Sequence, residues 1–451
     1  MFKKIELWIV ALLCVLFMII LIGFGAVLKD YYQHNQNKFG IITKFAVFIS
    51  EIPSNLSFTR ALFLDPGFEL SSFSKKHQNK ARFTRYINTE RNELLLLARY
   101  DGDLKRSLVE IIRLNDFSVL HSYKPNINEI NNKADTNKKE FKRLKTDDSP
   151  KRFELRNPLI LNNGSIVSHS GYSPLFKIDF CSKILWVNDD DKFHHSNTID
   201  HEGNYWVSTQ MYPYSKAIQN YKKIYGFLDD AITKISPEGK ILYQKSVSEI
   251  MLENNLLTIN DLDSNDPIHL NDIEPVIRNG LYWKKGDVIL SIRNLSLILH
   301  YRPSTNNIIR LIKGPFSMQH DVDIISENEI SIFNNNVNYT VSGKKNENAE
   351  VLIYNLLNQS FSKKFNQQLL INDFVTPTQG LADILEDGSM MVEEQNYGRI
   401  MFFNSFGELE WEFVNKSSDE KIYVVTWSSI IKDKGDIKNI NNIINNTKCK
   451  K

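Results

Sequence analysis

Leu159-Ile160-Leu161-Asn162-Asn163-Gly164-Ser165-Ile166-Val167, followed by Pro174-Leu175-Phe176-Lys177-Ile178-Asp179 and Lys183-Ile184-Leu185-Trp186, reads as strand, tight turn, strand, gap, strand, turn, strand. Short apolar runs rich in β-branched and aromatic residues, separated by turn residues, are the all-β pattern. The Asn-Gly dipeptide supplies the positive φ values that a tight hairpin requires. The phrase recurs as Thr198-Ile199-Asp200-His201-Glu202-Gly203-Asn204-Tyr205-Trp206-Val207 with its following strands. It returns as Leu385-Glu386-Asp387-Gly388-Ser389-Met390-Met391-Val392, then Arg399 to Phe403, then Phe406-Gly407-Glu408-Leu409-Glu410-Trp411. Four antiparallel strands in a repeated unit are the signature of a propeller blade. Units fall near residues 92–122, 156–187, 194–247, 268–312, 320–365 and 378–414. The expected fold class is therefore all-β, a six-bladed β-propeller over residues 91–431. Ile422-Tyr423-Val424-Val425-Thr426-Trp427 is expected to supply a strand that closes the ring on the first blade. The Asn/Lys/Asp-rich insert at 123–152 is expected to be a flexible surface loop. Two β-sandwiches built from unrelated hairpins are the alternative that the repetition argues against.

Outside the repeats, residues 7–28 form an almost uninterrupted apolar run, enough to cross a hydrocarbon core of ~30 Å at ~1.5 Å per residue. No small-x-small site follows in Lys29-Asp30-Tyr31-Tyr32, so an uncleaved transmembrane anchor over residues 1–30 is expected rather than a removed signal peptide. Lys3 and Lys4 would stay in the cytoplasm and the rest of the chain would be periplasmic or otherwise extracytoplasmic. Residues 31–90 are expected to be a juxtamembrane linker or small helical segment, and 432–451 a polar C-terminal tail. The 55 Lys and Arg against 53 Asp and Glu leave no global field that would draw nucleic acid. Of the three cysteines, Cys14 lies in the apolar run and Cys449 in the tail, so neither a disulfide nor a CxxC zinc or redox site is expected.

Three stretches carry the candidate chemistry: Phe193-His194-His195-Ser196-Asn197, Asp266-Pro267-Ile268-His269-Leu270-Asn271-Asp272 and Gln319-His320-Asp321-Val322-Asp323. Each comes just before a fresh run of strands, where the chain enters the innermost strand of a blade. His195, His269, His320 and Gln379 are expected at equivalent places, facing one another across the channel. Asn271, two residues beyond His269, returns to the same side of an extended chain, and Arg293 is expected to lean into the same space. Histidines, an asparagine and an arginine suit a tetrahedral oxyanion. Arginine offers a fixed positive fork and the others supply neutral donors, while histidine also serves as nucleophile or general acid. That combination points to sulfuryl or phosphoryl transfer. Structural histidines in a non-catalytic scaffold are the bland reading, and a metal site built from His269, Asp272, His320 and Asp323 is the other functional one.

The chain resembles the bacterial PAPS-independent arylsulfotransferases. The resemblance rests on His194-His195-Ser196-Asn197, the 266–274 stretch, Gly286-Asp287-Val288-Ile289-Leu290-Ser291-Ile292-Arg293-Asn294, Tyr301-Arg302-Pro303-Ser304-Thr305-Asn306, Gly314-Pro315-Phe316 and Gln319-His320-Asp321. It implies a propeller that moves a sulfuryl group from a small-molecule aryl sulfate donor to a phenolic acceptor without a nucleotide or other cofactor. It implies His320 as the transiently sulfated nucleophile, with His269 and Arg293 as its catalytic partners. Asn271, Arg293 and one of the pair His194 and His195, with His195 the preferred one, would bind the sulfuryl oxygens. Unlike the family's periplasmic members, which have a cleaved leader and a cysteine pair, this sequence shows neither, and it leaves a homodimer open.

Overall fold

The computed structural model describes residues 6–34, 39–50, 52, 76–138, 140–141, 144, 150–219, 226–262, 264–340 and 343–449. These fall into two units. One comprises Met1–Asp65, Lys216–Phe227 and Asp263–Asn265, and the other Pro66–Ser215, Leu228–Leu262 and Asp266–Lys451. The first unit holds the helix Leu7–His34. Its stretch Leu7–Lys29 is 23 residues long, apolar and unburied, enough to cross a membrane as an anchor or to act as a signal sequence. Lys3 and Lys4, and residues 53–75 of the expected juxtamembrane segment, lie outside the described residues.

The second unit is mostly β, with blade-like antiparallel sheets in a propeller arrangement. Ser429–Ile431, Leu94–Asp101, Arg106–Arg113 and Val119–Tyr123 form one sheet. A seven-stranded sheet runs from Arg156–Ile160 to Ile241–Ser246. Next come Leu270–Pro275 with its three partners, Val322–Ile324 with its three, and a five-stranded sheet that begins at Leu381–Ile384. In the seven-stranded sheet the 16-residue strand Ile184–Ile199 pairs with Ser173–Ile178 through its first half and with Tyr205–Gln210 through its second. Tight turns hold the hairpins as their sequences dictate: Gly239 sits at φ +86°, and a Cβ there would lie 2.7 Å from the Trp186 ring that covers it.

Successive sheets stack face to face, so strand residues are buried on both sides. Trp206 and Ile232 pack on Leu270, Leu290 and Leu299. Ile289 and Ile298 pack on Val322 and Ile332, and Phe333 and Val351 on Met390 and Met401. Met391 and Trp411 meet Leu95 and Leu97, and Leu96 and Val109 meet Ile166 and Phe176. Each such fully buried side chain stabilises the stack by about 1.5–3 kcal/mol.

The innermost segments are also joined edge to edge. Ser196 Oγ accepts from Ile273 N–H, Asp272 Oδ2 from Val322 N–H, Asp321 Oδ2 from Ala382 N–H, and Asp383 Oδ2 from Ile430 N–H. Asn157 N–H donates to Thr426 O, and Asn197 Nδ2 donates to Asn157 O, which returns to the start. These bonds satisfy backbone donors that would otherwise be stranded at the inner edges.

Several expectations need correction. The closing strand is Ser429–Ile431, paired with Leu94 to Leu96; the expected stretch 422–427 joins the same sheet only by a short bridge of Val425 to Arg99, where Tyr100 N–H donates to Val424 O and Thr426 N–H to Ala98 O. Phe83–Arg85, inside the segment expected to be linker, is a strand on the five-stranded sheet. The insert at 123–152 contains the helix Ile127–Lys133, which puts Ile127 and Ile130 into the core. The expected polar tail contains the helix Lys434–Asn446, capped by Asp433, with Ile437, Ile440, Ile443 and Ile444 against the same core. That docking brings Cys449 to Cys181, and the two form a disulfide with a Cα–Cα distance of 5.3 Å, contrary to the expectation of none.

Candidate active site

Where the chain turns into its inner strands, residues with side chains take up left-handed backbone: His195 and His269 at φ +53°, Met318 at +57°, Gln379 at +66° and Trp427 at +62°. Such conformations are costly without glycine and persist only where the surroundings enforce them. Glu393 does so for Trp427, its carboxylate accepting the N–H groups of Trp427 and Ser428 at 2.7 Å each. The positions correct the expected alignment of the histidines. Asp272 and Asp321 each accept the backbone N–H of the next inner strand, so Asn271 and His320, one residue earlier, are the equivalent pair. His269 corresponds to Met318. His320 therefore lies two residues further along its strand than His269 does on its own.

The three histidines nevertheless meet. The His195 ring centroid lies 5.1 Å from that of His269 and 6.0 Å from that of His320. Each ring is fixed through its Nδ1 by a different partner. His320 Nδ1–H donates to Asn335 Oδ1 at 2.6 Å, and its Nε2 accepts the Gln379 backbone N–H at 3.0 Å. Asn335 is itself locked, its amide donating to Thr376 O and Gln379 O. His269 Nδ1–H donates to Asp266 Oδ2 at 2.5 Å. His195 Nδ1 shares a proton with His194 Nδ1 at 2.7 Å, and the His195 carbonyl accepts from His169 Nε2–H.

Electrostatics separates these rings. Burial, reinforced by the Arg293 charge, lowers His320 to about 3, so it is neutral with a lone pair on Nε2. Burial, then the neighbouring His194, His269, His320 and Arg156, puts His195 well below the ordinary imidazole range. Burial works to raise Asp266, but the hydrogen bond and positive character of His269, with His194 and Arg293 beyond, hold its carboxyl below the ordinary range. A neutral amide thus backs His320 and a carboxylate backs His269.

Asn271 lines a small cavity together with His320, Ser196 and Trp427. Its Nδ2 donates to Gln319 O, and its buried Oδ1 has no hydrogen-bond partner among the described residues. Arg293 follows the strand Val288–Ile292, its N–H donating to the His269 carbonyl. Its Nη1 donates to Asn294 Oδ1 at 2.7 Å. His194, His195, His269 and Arg293 do not line that cavity; His194 packs 5.1 Å from the Tyr172 ring and faces Asp230. Sequence reasoning missed Asn335, Asp230, Arg156 and Trp427. Trp427 lies 6.1 Å edge-on to His195, with the Arg156 guanidinium 5.6 Å from its ring. Asp266 alone left a signal, three residues ahead of His269.

On the other side of Trp427, Asp272 and Asp321, a cavity of about 590 Å³ is lined by Asp272, Glu274, Asp321, Asp323, Asp383 and Lys432. Burial, then the Asp323 charge, raises Asp272 to about 8. Burial, then Asp383, raises Asp323 to about 7. Lys432 Nζ holds Asp383 Oδ1 at 2.8 Å. The alternative metal set of His269, Asp272, His320 and Asp323 is not gathered: among the described residues no three His, Cys, Asp or Glu side chains are placed to hold an ion. Instead Asp272 is bonded to the backbone of the adjoining strand, and both histidines turn Nδ1 to Asp266 and Asn335.

A family model described as arylsulfotransferase (ASST) matches residues 155–416. No curated protein sequence matches the chain. Among solved structures, a protein of unknown function from Bacteroides caccae is similar at 11% identity and TM-score 0.45, over 76% of this chain and 99% of that one. Virginiamycin B lyase from Staphylococcus aureus is similar at 11% identity and TM-score 0.36, over 73% and 87%. TolB from Acinetobacter baumannii is similar at 8% identity and TM-score 0.42, over 75% and 66%.

Proposed function

The chain belongs to the arylsulfotransferase (ASST) family, and from that premise we propose that it moves the sulfuryl group of an aryl sulfate ester to a phenol through a sulfated His320, with no nucleotide cofactor. The observation that carries this reading is the unlike backing of His320 and His269. With its proton held on Nδ1 by Asn335, His320 has its Nε2 lone pair free of a proton at neutral pH. Attack exchanges the Gln379 N–H hydrogen bond for an N–S bond as the aryl O–S bond breaks. The leaving phenolate takes a proton from His269 Nε2, and the Asp266 carboxylate stabilises the imidazolium that supplies it. The acceptor phenol then gives its proton to His269, its oxygen attacks sulfur, the N–S bond breaks, and His320 returns unchanged. Arg293, Asn271 and His195 surround the three equatorial oxygens, where fixed donors lower the barrier most.

The same proposal includes a six-bladed ring. Its support is the seven-stranded sheet, which contains two four-strand sets sharing Ile184–Ile199, and the closed series of inner-edge hydrogen bonds. It also includes anchoring by the helix Leu7–His34, with the β unit extracytoplasmic. The test is p-nitrophenyl sulfate with phenol, followed by mass spectrometry after a short pulse of donor. Nitrophenol release and an SO₃ adduct on the His320 peptide are expected. Turnover with the adduct on another residue, or turnover that survives His320→Ala, rejects the mechanism.

A further inference from the structure

The pair His194 and His195 contains more than a holder of oxygens. Both rings are buried, and their Nδ1 atoms lie 2.7 Å apart, so one nitrogen must donate and the other accept. Behind them His194 Nε2 faces Asp230 Oδ1 at 3.5 Å, and neither atom has a hydrogen-bond partner among the described residues. Two buried polar atoms left facing only each other call for complementary protonation. A carboxylate oxygen requires an N–H on His194 Nε2. The second Asp230 oxygen is already committed, accepting Leu270 N–H at 2.7 Å, immediately after His269.

With that proton fixed, the series Asp230, His194, His195 has two states. In the first, His194 is neutral, His195 donates its Nδ1–H to it, and His195 Nε2 is a bare lone pair. In the second, one proton has been added: His194 carries N–H on both nitrogens beside Asp230, and His195 accepts at Nδ1 and offers Nε2–H. A lone pair repels a sulfate oxygen, whereas an N–H binds it. The surroundings place the added charge on His194. His195 is ringed by His269, His320 and Arg156, while His194 has the carboxylate, with Tyr172, His169 and Asp266 as its other polar neighbours.

We propose that Asp230 and His194 form a proton relay behind His195, which couples binding of an anionic sulfuryl group to uptake of a proton from solvent. Only N–H bonds are made and broken, and the proton returns to solvent when the anion leaves. Asp230 is then a positioning residue that acts through two rings. The inference rests on the sulfuryl-binding reading of this pocket.

The experiment is calorimetric titration of the full-length chain with inorganic sulfate in two buffers of different ionisation enthalpy, about one pH unit above the ordinary imidazole range. Uptake of about one proton per sulfate is expected. Asp230→Asn keeps a carboxamide oxygen for Leu270 N–H; it should lose the uptake and raise KM for p-nitrophenyl sulfate about 10-fold, with kcat moving less. His194→Gln, the second variant, should lose the uptake likewise. Sulfate that binds without uptake, sulfate that does not bind, or uptake retained in both variants overturns the relay. Aryl sulfate turnover is the separate readout. Turnover with proton-independent binding removes the relay and keeps the sulfuryl-transfer reading, and proton-coupled binding without turnover does the opposite.

Discussion

The channel has two polar regions whose chemistry is opposite. At the histidine end, burial pushes bases down and keeps His195 and His320 neutral. At the acidic end, burial and mutual repulsion push acids up, so that Asp272 and Asp323 hold protons near neutrality. The two ends use their polar atoms differently. Asp272, Asp321 and Asp383 give oxygens to the backbone N–H groups of the next strand. Among the described residues, the histidine end leaves Asn271 Oδ1 without a hydrogen-bond partner and sets His194 Nε2 against Asp230 Oδ1 at 3.5 Å, and it backs each ring with a side chain. A buried polar atom without a partner destabilises a fold, so the place of Asn271 Oδ1 at the small cavity marks where a ligand is expected. Saturation of the other end marks a structural role.

The largest test of that division is a pair of substitutions. His320→Ala is expected to reduce aryl sulfate turnover about 10⁴-fold or more, the usual consequence of removing a nucleophile. Asp323→Asn, at the acidic end, is expected to change it by less than about 3-fold. Comparable losses in the two variants, measured as nitrophenol release, would dissolve the distinction between the ends.

A finer test exchanges the backing groups within the histidine end. Asp266→Asn is expected to lower kcat about 10–100-fold, the usual cost of losing a group that orients a functional imidazole, and less than the roughly 10²–10⁴-fold worth of the general acid itself. The loss should grow with the basicity of the leaving phenol. Asn335→Asp puts a carboxylate behind His320, which favours its imidazolium. The acid limb of the pH–rate profile should then move to higher pH, because the nucleophile is protonated sooner as pH falls. An unmoved limb would show that the neutral amide is not what keeps His320 ready to attack.

The blade pattern and the histidine end are largely legible in local sequence, whereas the acidic end is not. Hairpins announce themselves because Asn-Gly, Glu-Gly and Asp-Gly turns set φ locally, and the apolar runs that follow the histidine stretches show where inner strands lie. The offset of His320 is not legible, since a two-residue shift between repeats depends on how Asp272 and Asp321 reach adjacent strands. Asn335 lies in the run Asn334-Asn335-Asn336, where nothing distinguishes it from a turn residue. The disulfide spans 268 residues, and its partners meet only through the packing of the helix Lys434–Asn446 on the core. That helix reads as polar because its isoleucines are sparse, although they fall on one face. Trp427 lies beyond the repeats and beyond residue 416, where the family match ends.

The smallest expected effect concerns stability and separates the ends by sign. Asp323 is raised to about 7 in the fold, so its contribution is complete below the unfolded carboxylate pKa and is lost as pH rises through about 7. His320 and His169 are lowered to about 3, so theirs is present above the unfolded imidazole value and lost as pH falls toward 3. The acidic end thus favours low pH and the histidine end favours high pH. Asp323→Asn removes one titration while keeping a group able to bond Ser331. Between about pH 5 and about pH 8 the wild type should lose more melting temperature than the variant, by about 2–4 °C. Equal losses would mean that Asp323 is already ionised in the folded protein at the lower pH. The opposition between the two ends would then rest on the histidines alone.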